Sequence, residues 1–223
     1  MSSTARLEER LGHRFLRAEL LAQALTHRSF GSPHNERLEF LGDGVLGCVM
    51  AQELFARFPA LSEGDLSRLR ASLVRKESLA AVARELGLGA YLRLGEGESA
   101  SGGAARPSIL ADTLEALYGA VFLDAGYEGA RATVCSTFGA ALDALDPCTT
   151  GKDPKTRLQE LLQGRGQGLP SYHLVATQGA AHRQTFEVEC MVEQLGLRAT
   201  GKGEARRAAE QQAAEALLRQ LGA

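Results

Sequence analysis

The sequence predicts a two-part chain, an all-α domain followed by a small α+β module of order α-β-β-β-α. Three observations carry this expectation. Apolar residues before about position 145 recur at helical spacing. The stretch Leu145-Asp146-Pro147-Cys148-Thr149-Thr150-Gly151-Lys152-Asp153-Pro154 has two prolines, a glycine and small polar residues, without apolar periodicity. Beyond it, short segments of strand type stand between two helical ones. The expected division is a first domain over 1–145, a linker over 146–152 and a second domain over 153–223.

In chain order, the first clear helix covers residues 18–26, with Leu20, Leu21 and Leu25 at helical spacing. Asn35 is a good N-cap residue, and a long helix is expected from it to about Phe58, where Pro59 bounds it. Ser62-Glu63-Gly64-Asp65 resembles a capping box and should start a helix running to about Val74. Another follows over 76–86. Residues 95–106 are rich in glycine, serine and alanine and are expected to form a mobile loop. Pro107 suits the first position of the next helix, which continues through Leu110, Leu114, Leu117, Val121 and Phe122. A last helix of the domain is expected over 129–142. In the second part a helix over 156–163 precedes strands over 171–177, 183–192 and 195–201. An alanine-rich amphipathic helix over 204–221 closes the chain, and no internal repeat is present.

Composition narrows the function classes. The chain has 223 residues, 44% hydrophobic and 23% charged, which is the balance of a globular protein. No apolar run reaches the roughly 18 residues of a membrane-spanning helix. The first 17 residues carry several charges and no apolar core, which argues against export. Cys48, Cys135, Cys148 and Cys190 include no Cys-x-x-Cys pair, so neither a zinc site nor a disulfide framework is expected. A cytoplasmic location with free thiols fits. The formal net charge of −2 is unevenly spread. Residues 1–151 hold 15 basic against 19 acidic residues, whereas residues 152–223 hold 10 against 8. An acidic part joined to a mildly basic one hints at nucleic-acid work.

The richest segment is Asn35-Glu36-Arg37-Leu38-Glu39-Phe40-Leu41-Gly42-Asp43. Glu39 and Asp43 are four apart and share a helical face, which Glu36 joins from three residues earlier. Leu38, Phe40, Leu41, Val45 and Leu46 surround them, so Asp43 is expected beside a buried surface, where a lone carboxylate is expensive. Each acid alone has an ordinary explanation. Glu36 in a first turn favours the helix dipole, and Asp43 is open to pairing with Arg37 or Arg68. From 107 to 123, however, the only charged residues are Asp112 and Glu115, three apart on one face. Packing the two helices face to face gathers Glu39, Asp43, Asp112 and Glu115. Their mutual repulsion raises their pKa values, and a divalent cation removes that penalty. All-oxygen ligands suit Mg²⁺ or Mn²⁺. A di-iron bundle would need Glu-x-x-His pairs, which the sequence lacks. Mg²⁺ on carboxylates points to hydrolysis of phosphate esters, and spacing goes no further. A non-cutting scaffold is the competing class, and it would be expected to lose one or more of these four acids.

That nine-residue run resembles the signature of the ribonuclease III family. Glu63-Gly64-Asp65-Leu66-Ser67 and Ala111-Asp112-Thr113-Leu114-Glu115-Ala116 are similar to further family motifs in the same order. The second part resembles a double-stranded RNA-binding domain through Asp153-Pro154-Lys155-Thr156-Arg157-Leu158-Gln159-Glu160 and Arg206-Arg207-Ala208-Ala209-Glu210-Gln211. The resemblance implies an all-α endonuclease domain, active as a homodimer, that cuts double-stranded RNA and takes part in processing ribosomal and other structured RNA precursors. It implies Mg²⁺, with Mn²⁺ as a substitute, on Glu39, Asp43, Asp112 and Glu115, with Asp43 and Glu115 the most critical. Glu36 and Glu63 would border the cleavage site and assist there. No small-molecule cofactor and no membrane partner are implied. In the second domain Thr156, Gln159, Glu160 and Gln163 suit a minor groove, which presents 2′-hydroxyls. His182 would reach the next minor groove, and Lys202, Arg206 and Arg207 would meet phosphate near a helix start. The chain departs from the pattern at Ala205, where serine is usual, at Ala208, often basic, and at Glu204, an added negative charge. Phosphate affinity is therefore expected to be weaker.

Overall fold

The computed structural model describes residues 4–145, 153–179 and 184–222. The expected linker over 146–152 and His182 lie outside the described residues. The chain divides into two compact units, Met1–Gly151 and Lys152–Ala223.

The first unit is built from α1 (Ala5–Leu11), α2 (Ala18–Ala24), α3 (Glu36–Arg57), α4 (Glu63–Val74), α5 (Lys76–Glu85), α6 (Glu96–Ala100) and α7 (Pro107–Asp143). Its centre is the first half of α7, where Leu110, Leu114, Leu117, Tyr118 and Val121 are buried. A helix apolar on every side belongs inside other helices, and α3 and α5 pack against this one. Leu46, Val49, Met50 and Leu54 of α3 fill the same core. The expected pair of helices over 107–142 is one run interrupted at Gly126, whose φ of 70° and ψ of −169° are open to glycine alone among the residues nearby. Helix α1 was not among the expected elements. Leu7 and Leu11, one turn apart, bury fully and tie it to the core.

Two local expectations are corrected. Asn35 does not cap α3 with its side chain. Its backbone is already helical (φ −79°, ψ −18°), and its side chain makes no cap hydrogen bond and is 2% exposed. By contrast Ser62 does cap α4, its Oγ accepting from the Asp65 N–H at 3.2 Å. Residues 95–106 are not an irregular loop. They form α6 and a 3₁₀ turn over Gly103–Ala105. The glycines there serve close approach, since a Cβ on Gly95 would lie 2.3 Å from the Ser29 carbonyl oxygen. The Gly95 N–H donates to Ser29 Oγ at 3.0 Å, and Arg106 pairs with Glu98 across the turn at 2.5 Å.

The second unit has the expected order, α8 (Pro154–Gly164), β1 (Ser171–Gln178), β2 (Thr185–Val192), β3 (Leu197–Gly203) and α9 (Arg206–Gln220). The antiparallel sheet runs β1-β2-β3. Along β2, Val188, Cys190 and Val192 alternate inward. Leu158 and Leu162 of α8 and Ala213, Ala214, Leu217 and Leu218 of α9 complete that core. The small alanines let α9 lie close on β3. It starts at Arg206 rather than 204 because Ala205 is extended (φ −134°, ψ 149°).

Candidate metal centre and nucleic-acid interface

Helices α3 and α7 touch backbone to backbone. A Cβ on Gly42 would lie 1.8 Å from the Glu115 carbonyl oxygen, and one on Gly119 would lie 2.2 Å from that of Leu38. Only glycine permits this approach. The carboxylates flanking the crossing therefore meet. Glu39, Asp112 and Glu115, all half-buried, each offer an oxygen within 4.8 Å of the others. Sequence reasoning contained the four acids but missed the glycine pair that joins them. Small residues inside two otherwise apolar helices are the signal that would have found it.

The fourth acid stands differently. Asp43 is exposed, against the expectation of a buried setting, because its turn of α3 faces outward in the single chain. Its charge still reaches the group. Burial pushes the Glu115 carboxyl up to about 7, helped first by the charge of Asp43 and then by Glu39 and Asp112. Burial, then Asp112 and Glu36, raises Glu39, with Arg28 opposing. Burial also raises Asp112 against the pull of Lys76, His27 and Arg28. Arg68, a candidate partner of Asp43, instead pairs with Asp65 at 2.7 Å. Three carboxylates with raised pKa values and converging oxygens fit a hard divalent cation, which would restore their ionised forms.

Glu39 and Asp112 line a cleft of about 570 Å³, whose walls include His27, Arg28, Glu36 and Arg106. Glu36 thus borders the carboxylate group, tied to Arg28 at 3.1 Å and near His34 at 3.7 Å. Glu63 does not line this cleft. It sits exposed in the first turn of α4 and accepts from Ser67 Oγ at 2.7 Å.

In the second unit Thr156, Gln159, Glu160 and Gln163 are exposed along α8, and Lys202, Arg206 and Arg207 are exposed around the end of β3 and the start of α9. Thr156, Gln159, Arg206 and Arg207 share a recess of about 550 Å³. Each cation has an acid beside it. Arg206 pairs with Glu210 at 3.0 Å, Arg207 with Asp153 at 3.2 Å and Lys202 with Glu187 at 3.5 Å. Sequence reasoning named Asp153 within the domain's motif but gave it no role; it caps α8 through the Lys155 N–H at 2.9 Å and also accepts from Gln211 Nε2 at 3.0 Å. It thereby joins the two helix starts.

The chain is similar to known proteins along nearly its whole length. Residues 17–141 match the ribonuclease-III-like family model, and residues 154–221 match the double-stranded RNA binding motif. A protein of Dechloromonas aromatica named ribonuclease 3 is 60% identical over 213 residues, covering 96% of each chain. The ribonuclease 3 of Aromatoleum aromaticum is 60% identical over 216 residues, 97% of this chain and 96% of its own length. Among solved structures, the nuclease domain of ribonuclease III from Campylobacter jejuni superposes with a TM-score of 0.62 at 43% identity, covering 66% of this chain and 100% of that one. A second structure of that domain, described by its flexibility in a region involved in dimer formation, gives a TM-score of 0.61 at 44% identity, covering 62% of this chain and 97% of that one.

Proposed function

The chain belongs to the ribonuclease III family, and on that premise we propose that its endonucleolytic cutting of double-stranded RNA runs on Mg²⁺ held by Glu39, Asp112 and Glu115, with Asp43 beside them. The single observation that carries this reading is the convergence of three half-buried carboxylate oxygens within 4.8 Å. Mn²⁺ satisfies the same hard-oxygen donor set. When bound, the cation supplies Lewis acidity, acidifying water and offsetting charge on the phosphate and the leaving oxygen. The protein's own part is positioning. Glu39 and Glu115 are held at the α3–α7 crossing, and Asp43 adds negative charge at the exposed rim. Glu36 holds Arg28 at the cleft wall, where a guanidinium can meet RNA phosphate. Glu63 assists from α4, outside the cleft of this chain.

The second unit binds double-stranded RNA. We assign the contacts to the exposed polar face of α8, to Lys202, Arg206 and Arg207, and to His182. The acids paired with the three cations support a modest affinity, because fewer counterions are released where a cation is already neutralised.

The active form is a homodimer. Phe40 on α3 is 84% exposed, beside a cavity of about 640 Å³ lined by Leu20, Leu38, Leu41 and Leu123. An exposed aromatic next to an apolar recess on the same face is self-complementary about a two-fold axis. Among the described residues no helix is long and apolar enough to cross a membrane. We place the protein in the cytoplasm, processing ribosomal and other structured RNA precursors.

Incubating the protein with a long RNA duplex tests the reading. Cutting is expected with Mg²⁺ and none with EDTA, while single-stranded RNA of the same sequence stays intact. Cutting that persists after the metal is removed would overturn it.

A further inference from the structure

The cleft above the carboxylates holds, besides its arginines, two N–H donors that the fold leaves unspent. Arg28 and Arg106 each pair through one guanidinium nitrogen, with Glu36 and Glu98, and keep further donors toward the cleft. His27 and Asn35 are not engaged in this way. The His27 Nδ1 accepts from the Ser29 N–H at 3.2 Å and lies 2.8 Å from Ser29 Oγ. An Nδ1 occupied as acceptor puts the ring proton on Nε2, the one polar atom of the ring still available. The Asn35 side chain is 2% exposed, and its Nδ2 has no hydrogen-bond partner among the described residues. A buried donor left unpaired is a cost the fold does not usually carry. Both residues line the same cleft as Glu39 and Asp112.

The two donors are also held in place by one framework. The Asn35 N–H donates to the Thr26 carbonyl at 2.9 Å, so Asn35 sits beside the residue that precedes His27. The His27 N–H donates to the Arg93 carbonyl at 3.0 Å, and the Arg93 N–H donates to that of Leu25 at 2.8 Å. Ser29 Oγ accepts from the Gly95 N–H, and Arg93 stacks on the Phe30 ring at 4.4 Å. Residues on both sides of His27 are thus locked to the segment before α6. His27 and Asp112 face each other only through this shared cleft, which both of them line.

We propose that the His27 Nε2–H and the Asn35 carboxamide N–H together bind a non-bridging oxygen of an RNA phosphodiester next to Glu39 and Asp112. Ser29 is then a positioning residue that sets the tautomer and the ring orientation. An anionic oxygen fits because both groups donate, and a hydrogen bond to a charged acceptor is stronger than one to a neutral acceptor. The inference rests on reading this cleft as the cleavage site.

The experiment is single-turnover cleavage of a short RNA hairpin at saturating protein and saturating Mg²⁺, with gel-shift affinity and melting temperature measured on the same samples. His27→Ala and Asn35→Leu are each expected to slow cleavage at least tenfold. Asn35→Leu matches the shape of asparagine and removes the unpaired donor, so its melting temperature should hold or rise. His27→Gln keeps a side-chain N–H and should recover part of the rate, and Ser29→Ala should fall between wild type and His27→Ala. Cleavage by both donor variants within threefold of wild type would overturn the proposal. So would a loss accompanied by a lowered melting temperature that His27→Gln does not repair. Glu115→Gln run alongside separates the two levels. If it is inactive while His27→Ala and Asn35→Leu cut normally, the donor site alone is wrong. If it cuts normally, the cleft itself is not the cleavage site and both fall.

Discussion

Glu115 concentrates the chemistry of one residue. Without metal, burial and the neighbouring charges push its carboxyl from 4.5 up to about 7. A carboxyl raised by folding stabilises the native state while protonated. That contribution is complete below about 4.5 and is lost as pH rises through about 7. The metal-free protein is therefore expected to melt at a higher temperature near pH 5.5 than near pH 8 from this site. Glu115→Gln should flatten that difference, and thermal scans across the range check it. Mg²⁺ requires the ionised carboxylate, so the concentration of Mg²⁺ that half-saturates cleavage should rise as pH falls below about 7. The same Glu115→Gln variant keeps size and helix propensity. It should retain RNA binding by gel-shift and lose cleavage by on the order of 10²- to 10³-fold. A rate within a few-fold of wild type would mean that Glu115 is not a ligand.

At the scale of elements, the α3–α7 crossing decides whether the acids meet. Gly42→Ala places a methyl 1.8 Å from the Glu115 carbonyl oxygen, so the helices must separate. Overpacking of this kind costs about 1–3 kcal/mol, and cleavage should fall with stability because Glu39 moves away from Glu115. Gly47→Ala is the control on the same helix. Its Cβ would meet nothing within 4 Å, and the change should be neutral or stabilising by about 0.5–1 kcal/mol. Urea unfolding of both variants tests the pair. In the second unit Ala205 occupies the N-cap position before α9, with the extended backbone of a cap and no side chain to make the bond. Ala205→Ser should stabilise by about 1 kcal/mol and tighten RNA binding, as read by the melting temperature and by gel-shift. The helix order was legible from periodicity, since Leu110, Leu114, Leu117 and Val121 mark one buried helix at their own spacing. Residues 95–106 were misread because glycine permits close packing as readily as mobility, and only the Ser29 carbonyl beside Gly95 distinguishes the two.

For the whole molecule, the exposed Phe40 and the recess beside it set the expected assembly. Wild type should sediment as two chains at micromolar concentration. Phe40→Glu places a charge where the partner's apolar recess would receive it, and should shift the protein to one chain with its helical content intact. Sedimentation of the two proteins side by side decides this. A wild-type protein that remains a single chain would contradict the dimer.

The sequence by itself determined the larger helices and the strands, though not α1 or α6, together with the α-β-β-β-α order of the second unit and the family. These are recorded locally, in spacing and in contiguous runs such as Asn35 to Asp43. It also contained every acid of the candidate site. Tertiary structure alone decided that Glu39, Asp112 and Glu115 converge while Asp43 stays at the exposed rim, and that Asn35 is a buried donor in a cleft rather than a helix cap. The reason is physical. A residue's backbone preference depends on its neighbours in the chain, whereas the meeting of two side chains depends on how closely their helices approach. Here that distance is set by Gly42 and Gly119, which act on each other across helices far apart in sequence.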